Sequence, residues 1–188
     1  MPHMDLFSTQ PTFLDALLLL KSSRKLSLAN NYLDVRKGVA LRKFIKNEYC
    51  CLVELNLANG NLGNAGTQAL FEGLRDNQTL KRLNISENKI TDVAGNSICD
   101  YFYDEIAGKM SILNPDANKS SLTRSPTKLF QKFQGGKRPM NLQSLNLSMN
   151  SLSDLTCVPL AYNLHCNSEL SNLHLGLNYL GEATGAAF

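Results

Sequence analysis

The sequence has little that points to catalysis or metal binding. Its five cysteines, Cys50, Cys51, Cys99, Cys157 and Cys166, are odd in number and include no CxxC pair. None has a partner at metal-site spacing, so the expectation is free buried thiols in a reducing compartment. Histidine is scarce: His3, His165 and His174 stand apart, with no His–carboxylate or Cys–His arrangement. No nucleotide-binding motif is present. The chain is therefore read as having no cofactor, no metal, no small-molecule substrate and no catalytic cluster.

Long apolar runs are lacking as well. Phe13–Leu20 is interrupted by Asp15 and is far too short to span a bilayer. No Lys or Arg precedes it, so it does not fit a secretory signal. The expected location is cytoplasmic, with no membrane role. Net charge is only +3, too small to imply nucleic acid or an anionic membrane for the whole molecule.

What is present is a repeat. The 188 residues are 43% apolar and 19% charged, a globular composition. One pattern recurs: Leu, two residues, Leu, one residue, Leu or Ile, two residues, Asn, one residue, Leu or Ile. It runs Leu80, Leu83, Ile85, Asn88, Ile90, and then Leu142, Leu145, Leu147, Asn150, Leu152. A further copy is Leu170, Leu173, Leu175, Asn178, Leu180. An earlier one is Leu52, Leu55, Leu57, Gly60, Leu62, with Gly in the Asn slot, and Ser23, Leu26, Leu28, Asn31, Leu33 is a partial first copy. Leu52 to Leu80 and Leu142 to Leu170 are each 28 residues. Alternation at Leu83/Ile85 predicts a short strand with one apolar face. Each Asn is expected to bond turn groups that would otherwise be buried unpaired, making a ladder with a weak rung at Gly60. Leu70 and Leu74, Ala94, Ile98 and Phe102, and Thr156, Leu160 and Leu164 follow at helical spacing, so each unit closes with a helix packed on the strands.

At these residues the chain resembles the ribonuclease-inhibitor-like leucine-rich-repeat family, over about residues 23–104 and 141–188. The resemblance implies an α/β solenoid, a right-handed horseshoe segment with a parallel sheet on the concave face and helices on the convex face. It is specific for fold and nearly silent on function. Members of the family include nuclease inhibitors, GTPase-activating proteins, innate-immune sensors, actin-filament cappers and ciliary scaffold subunits.

The expected organisation is an N-terminal capping helix over 1–22, repeats over 23–105, a basic inserted loop over 106–140, and two more repeats over 141–188. The cap is placed with Thr9 or Gln10 before Pro11 at the first helical turn. The last repeat is expected to lack its helix, with truncation preferred over a partner or self-association at the open edge. The insertion follows because Leu80 to Leu142 is 62 residues. It holds Lys109, Lys119, Arg124, Lys128, Lys132, Lys137 and Arg138 against Asp116 alone. Within it, Ser125-Pro126 has the form of a proline-directed phosphorylation site, with Ser125 the acceptor.

Two candidate binding surfaces follow. On the concave sheet these are Arg24, Lys25, Glu54, Asn56, Lys81, Arg82, Asn84, Glu87, Asn146 and His174, outward-facing polar residues on a rigid support. On the insertion they are Arg124, Lys128, Phe130, Lys132, Phe133, Lys137 and Arg138. The function expected is a non-enzymatic protein–protein interaction scaffold, a subunit of a larger cytoskeletal or ciliary assembly. Its partners would be proteins, among them an acidic surface such as a cytoskeletal filament. Nucleic acid ranks last, because the insertion has no interleaved aromatics beyond Phe130 and Phe133. An immune-sensor fragment fits less well without a nucleotide-binding motif. The rival reading is a GTPase regulator: relatives of that kind place an arginine on an early loop, and Arg36 after Leu33 is the candidate.

Overall fold

The computed structural model describes residues 12–20, 22–103, 141–165 and 167–188. Five three-residue strands form a parallel sheet in chain order. They are β1 (Lys25–Ser27), β2 (Glu54–Asn56), β3 (Arg82–Asn84), β4 (Ser144–Asn146) and β5 (Asn172–His174). The register aligns Leu26, Leu55, Leu83, Leu145 and Leu173 in one row. The leucine slots of the sequence are thus the rungs of the sheet. The insertion between β3 and β4 leaves this register intact.

Each strand leads into a helix: α2 (Val35–Ile45), α3 (Gly63–Leu74), α4 (Asp92–Phe102), α5 (Asp154–Leu164) and α6 (Glu182–Ala187), with α1 (Phe13–Leu19) ahead of them all. The starts of α2, α4 and α5 are set by short polar side chains. Asp34 accepts from the Lys37 N–H, Thr91 from Val93 and Ser153 from Leu155, filling donors that a helix leaves open. Pro159 lies inside α5 and removes one helical N–H. The helices stack in sequence, each against its neighbours. Between sheet and helices, Leu55, Leu83 and Leu145 meet Phe44, Phe71 and Phe102, all buried. Tyr101 joins them edge-on to the Phe71 and Phe102 rings, at 5.7 Å and 4.9 Å. Strands repeat at ~4.8 Å and packed helices at ~8–10 Å, so the sheet side curves inward.

Two expectations for the ends are corrected. The N-terminal cap begins at Thr12, not at Thr9 or Gln10. Thr12 and Asp15 form a reciprocal capping box, so the acid that interrupts the apolar run is what starts the helix. The Thr12 hydroxyl holds the Asp15 carboxyl below its usual range. Of this helix only Leu17 is fully buried, whereas Leu19 is exposed. At the other end the last repeat does have a helix, α6, six residues long. The sequence expectation of none missed it because Glu182-Ala-Thr-Gly-Ala-Ala187 has no large apolar side chain to mark a period.

Candidate functional site

The loops that leave the sheet are held by the asparagine ladder. Asn88 Oδ1 accepts from the Gly60 and Leu62 N–H groups at 3.2 Å and 2.9 Å, and its Nδ2 donates to the Leu57 and Ser86 carbonyls, both at 2.8 Å. Asn150 does the same for Asn88 and Ile90, and Asn178 for Leu152. Each amide therefore serves the preceding repeat as well as its own. The expected weak rung at Gly60 is present but not empty: one hydrogen bond reaches the preceding repeat there, against two from Asn88 and two from Asn150. Gly60 is buried, and its carbonyl replaces an asparagine oxygen by accepting from the Leu33 N–H at 2.6 Å. A Cβ at Gly60 would lie 2.8 Å from both Leu33 Cδ1 and Leu57 O, so this rung needs glycine.

On this support the sheet face carries most of the expected polar residues, and three of its charges form one bridge. Glu54 sits between Lys25 and Arg82 in adjacent strands. Its Oε1 is 3.1 Å from Lys25 Nζ and 2.8 Å from Arg82 Nε. Hydrogen bonds from Arg82 and then Lys25 hold the Glu54 carboxyl below its usual range. Lys25 and Arg82, one in the first row and one in the third, are thus bridged through Glu54. Lys81 precedes β3 and donates to Asn141 Oδ1 at 3.3 Å. The Arg24 side chain is exposed and forms no ion pair among the described residues.

Asn56, Asn84 and Asn146 form the next row, in register across three strands. Each turns Oδ1 onto the N–H two residues ahead, at Ala58, Ser86 and Ser148. That fixes the amide orientation and leaves three parallel Nδ2 donors with no acceptor among the described residues. His174 ends the row and is exposed. Glu87 is not on the sheet. It lies on the rim, at φ 55.

The rim holds features that sequence reading missed. Asn30, Asn59, Glu87, Met149 and Leu177 occupy one slot of successive repeats, and all five are left-handed, with φ between 50 and 60. A second ladder links the helix starts. Asn64 bonds the Thr91 N–H, Asp92 accepts from Ser153 and Thr156, and Asp154 accepts from Gly181 and Thr184. Burial pushes the Asp92 carboxyl up, but those hydrogen bonds outweigh it and hold it below the usual range. The signal was available as Asn64, Asp92 and Asp154 at one repeat position.

Arg36 lies in the first turn of α2, not on a loop before it. Cys50, Cys99 and Cys157 are buried free thiols, whereas Cys51 is exposed. Burial pushes Cys99 up to about 12 and Cys157 to about 11, which keeps both protonated and unreactive. Among the described residues no three His, Cys, Asp or Glu side chains gather as a metal site. No helix among them is long and apolar enough to cross a membrane. The depression between α3 and α4, lined by Ala65, Gln68, Glu72, Arg75 and Ser97, is open to solvent. Arg124, Ser125, Lys128, Phe130, Lys132, Phe133, Lys137 and Arg138 lie outside the described residues.

A family model described as Leucine Rich repeat matches residues 50–71 and 76–99, and another described as Leucine Rich Repeat matches residues 141–162. Those segments are the units β2–α3, β3–α4 and β4–α5. A similar protein is "NACHT, LRR and PYD domains-containing protein 12" of Mus musculus, 28% identical over 134 residues, or 70% of this chain. The chain spans 12% of that protein's length. The chain carries leucine-rich repeats. These matches do not single out the ribonuclease-inhibitor-like subfamily.

Proposed function

We propose that this leucine-rich-repeat array is a non-enzymatic scaffold that binds a partner protein on its inner sheet face. The observation that carries the reading is the row of Asn56, Asn84 and Asn146. Their three Nδ2 groups are aligned donors, locked by their own loops and spaced by the sheet at ~4.8 Å. Such a surface is pre-organised, so little side-chain freedom is lost on binding. The Lys25–Glu54–Arg82 bridge beside it holds two cations on one carboxylate, so its side chains are fixed in place next to the asparagine row. Membership of a larger cytoskeletal or ciliary assembly is supported by the insertion, whose basic excess suits an acidic filament surface.

The test is a triple substitution, Asn56→Asp, Asn84→Asp and Asn146→Asp. Each aspartate still accepts the loop N–H but turns the outward donor into an acceptor. A partner captured by affinity and mapped to the sheet by crosslinking should lose at least about tenfold in affinity. Unchanged affinity removes this face as the binding surface.

A further inference from the structure

The edge of the array where strands turn into helices changes character along the chain. In the left-handed slot, repeats one to three place Asn30, Asn59 and Glu87, and repeats four and five place Met149 and Leu177. Asparagine tolerates this backbone because its short polar side chain bonds locally, as the Asn59 amide does to Asn30 Oδ1 at 3.1 Å. Methionine and leucine have no such compensation. All five copies adopt the left-handed turn, so the repeat sets the backbone and the exchange of polar for apolar side chains changes only the surface.

Around that slot several large apolar side chains are exposed, two of them, Leu177 and Tyr179, in the last described repeat. Met149 is 47% exposed, Leu155 65%, Val93 66%, Leu177 73% and Tyr179 74%. Val93, Met149 and Leu155 have a repeat on either side, so their exposure does not come from the end of the array. The backbone ties the five together: Met149 donates to the Gly176 carbonyl at 2.8 Å, Thr91 bridges Ser151, and Ser153 bridges Tyr179. Acidic groups border the patch. Glu87 and Glu182 are exposed, and Asp92 and Asp154, held in the ladder between helix starts, add negative charge behind them, against one lysine, Lys89. Helix N-termini offset part of that charge, but the edge stays negative.

We propose that this strand-to-helix edge of repeats three to five docks a basic amphipathic segment of a partner protein, with Met149, Leu155, Leu177 and Tyr179 as apolar anchors. The acidic border supplies the charge complement, and the apolar patch is of the kind that monomeric surfaces avoid without a use. This surface adjoins the inner sheet face, since Asn146 Oδ1 accepts from the Ser148 N–H beside Met149, but it uses other side chains and neither proposal depends on the other.

The chain's own repeats supply substitutions that the fold accepts. Met149→Asn and Leu177→Asn restore the residue of Asn30 and Asn59, and Leu155→Ala restores that of Ala65 and Ala183. The probe is a synthetic amphipathic helix of lysine and leucine, fluorescently labelled, with a glutamate/leucine helix of the same apolar face as control. Anisotropy titration should show the lysine helix binding wild type at least about tenfold tighter than the triple variant, and the glutamate helix not at all. The triple variant should melt at an equal or higher Tm, which separates lost binding from lost folding. Asn56→Ala, Asn84→Ala and Asn146→Ala, which add no charge to the sheet face, should bind the lysine helix like wild type, so the two proposals fail independently. Equal binding by wild type and the triple variant overturns the proposal, as does equal binding of the two helices.

Discussion

At the scale of single residues, the largest stability effects are expected at the buried ladder amides rather than at their exposed counterparts. Asn88 is fully buried and makes five ladder hydrogen bonds with Leu57, Gly60, Leu62, Ser86 and the Asn150 side chain. Asn88→Ala leaves two buried N–H groups unpaired and should cost about 3 kcal/mol in urea unfolding. Asn31 is exposed and reaches only the Leu28 and Ala29 carbonyls. Asn31→Ala should cost less than about 1 kcal/mol. The existence of the ladder was legible, because a polar residue recurred among buried leucines. Its direction was not, because nothing local says that an amide serves the repeat before it. Gly60 shows the same limit. Alone it looks like a lost asparagine, and only the approach of Leu33 and Asn88 makes glycine the residue that fits.

Between elements, helix spacing depends on small residues whose partners lie a full repeat away. A Cβ on Gly38 of α2 would sit 2.8 Å from the Gly66 Cα of α3, a backbone atom that cannot rotate aside. Gly38→Ala should therefore force the two helices apart and cost about 1–3 kcal/mol, read as a lower urea midpoint with an unchanged slope. The strands and helices themselves were legible from period, with two exceptions at the ends. Asp15 looked like an interruption although Thr12, three residues before it, already gave the spacing of a capping box ahead of an apolar run. Helix α6 escaped notice because its residues are small.

For the whole molecule, a solenoid couples only neighbours, so the place of a substitution along the array decides its reach. Leu33 and Leu83 are both buried. Leu83→Ala in the middle strand should cost roughly 2–5 kcal/mol and lower amide protection across the flanking repeats. Leu33→Ala should confine its loss of hydrogen-exchange protection to α1, α2 and β1, where few neighbours depend on it. Uniform loss of protection from Leu33→Ala would show that the array unfolds as one unit. The polar candidates on the sheet were legible as outward-facing positions by alternation alone. Their pairing was not: Lys25, Glu54 and Arg82 are far apart in the chain and become one bridge only through register.

By itself, the sequence determined the repeat length, the strand–loop–helix unit, the leucine core and the place of the insertion. These follow from periodicity, and periodicity is a property of one chain read in order. Tertiary structure alone decided which donors remain free on the sheet, which charges pair, and which exposed apolar residues stand in left-handed backbone on the edge. Those depend on contacts between repeats 28 or 62 residues apart, where hydrogen-bond direction and backbone dihedrals leave no periodic trace.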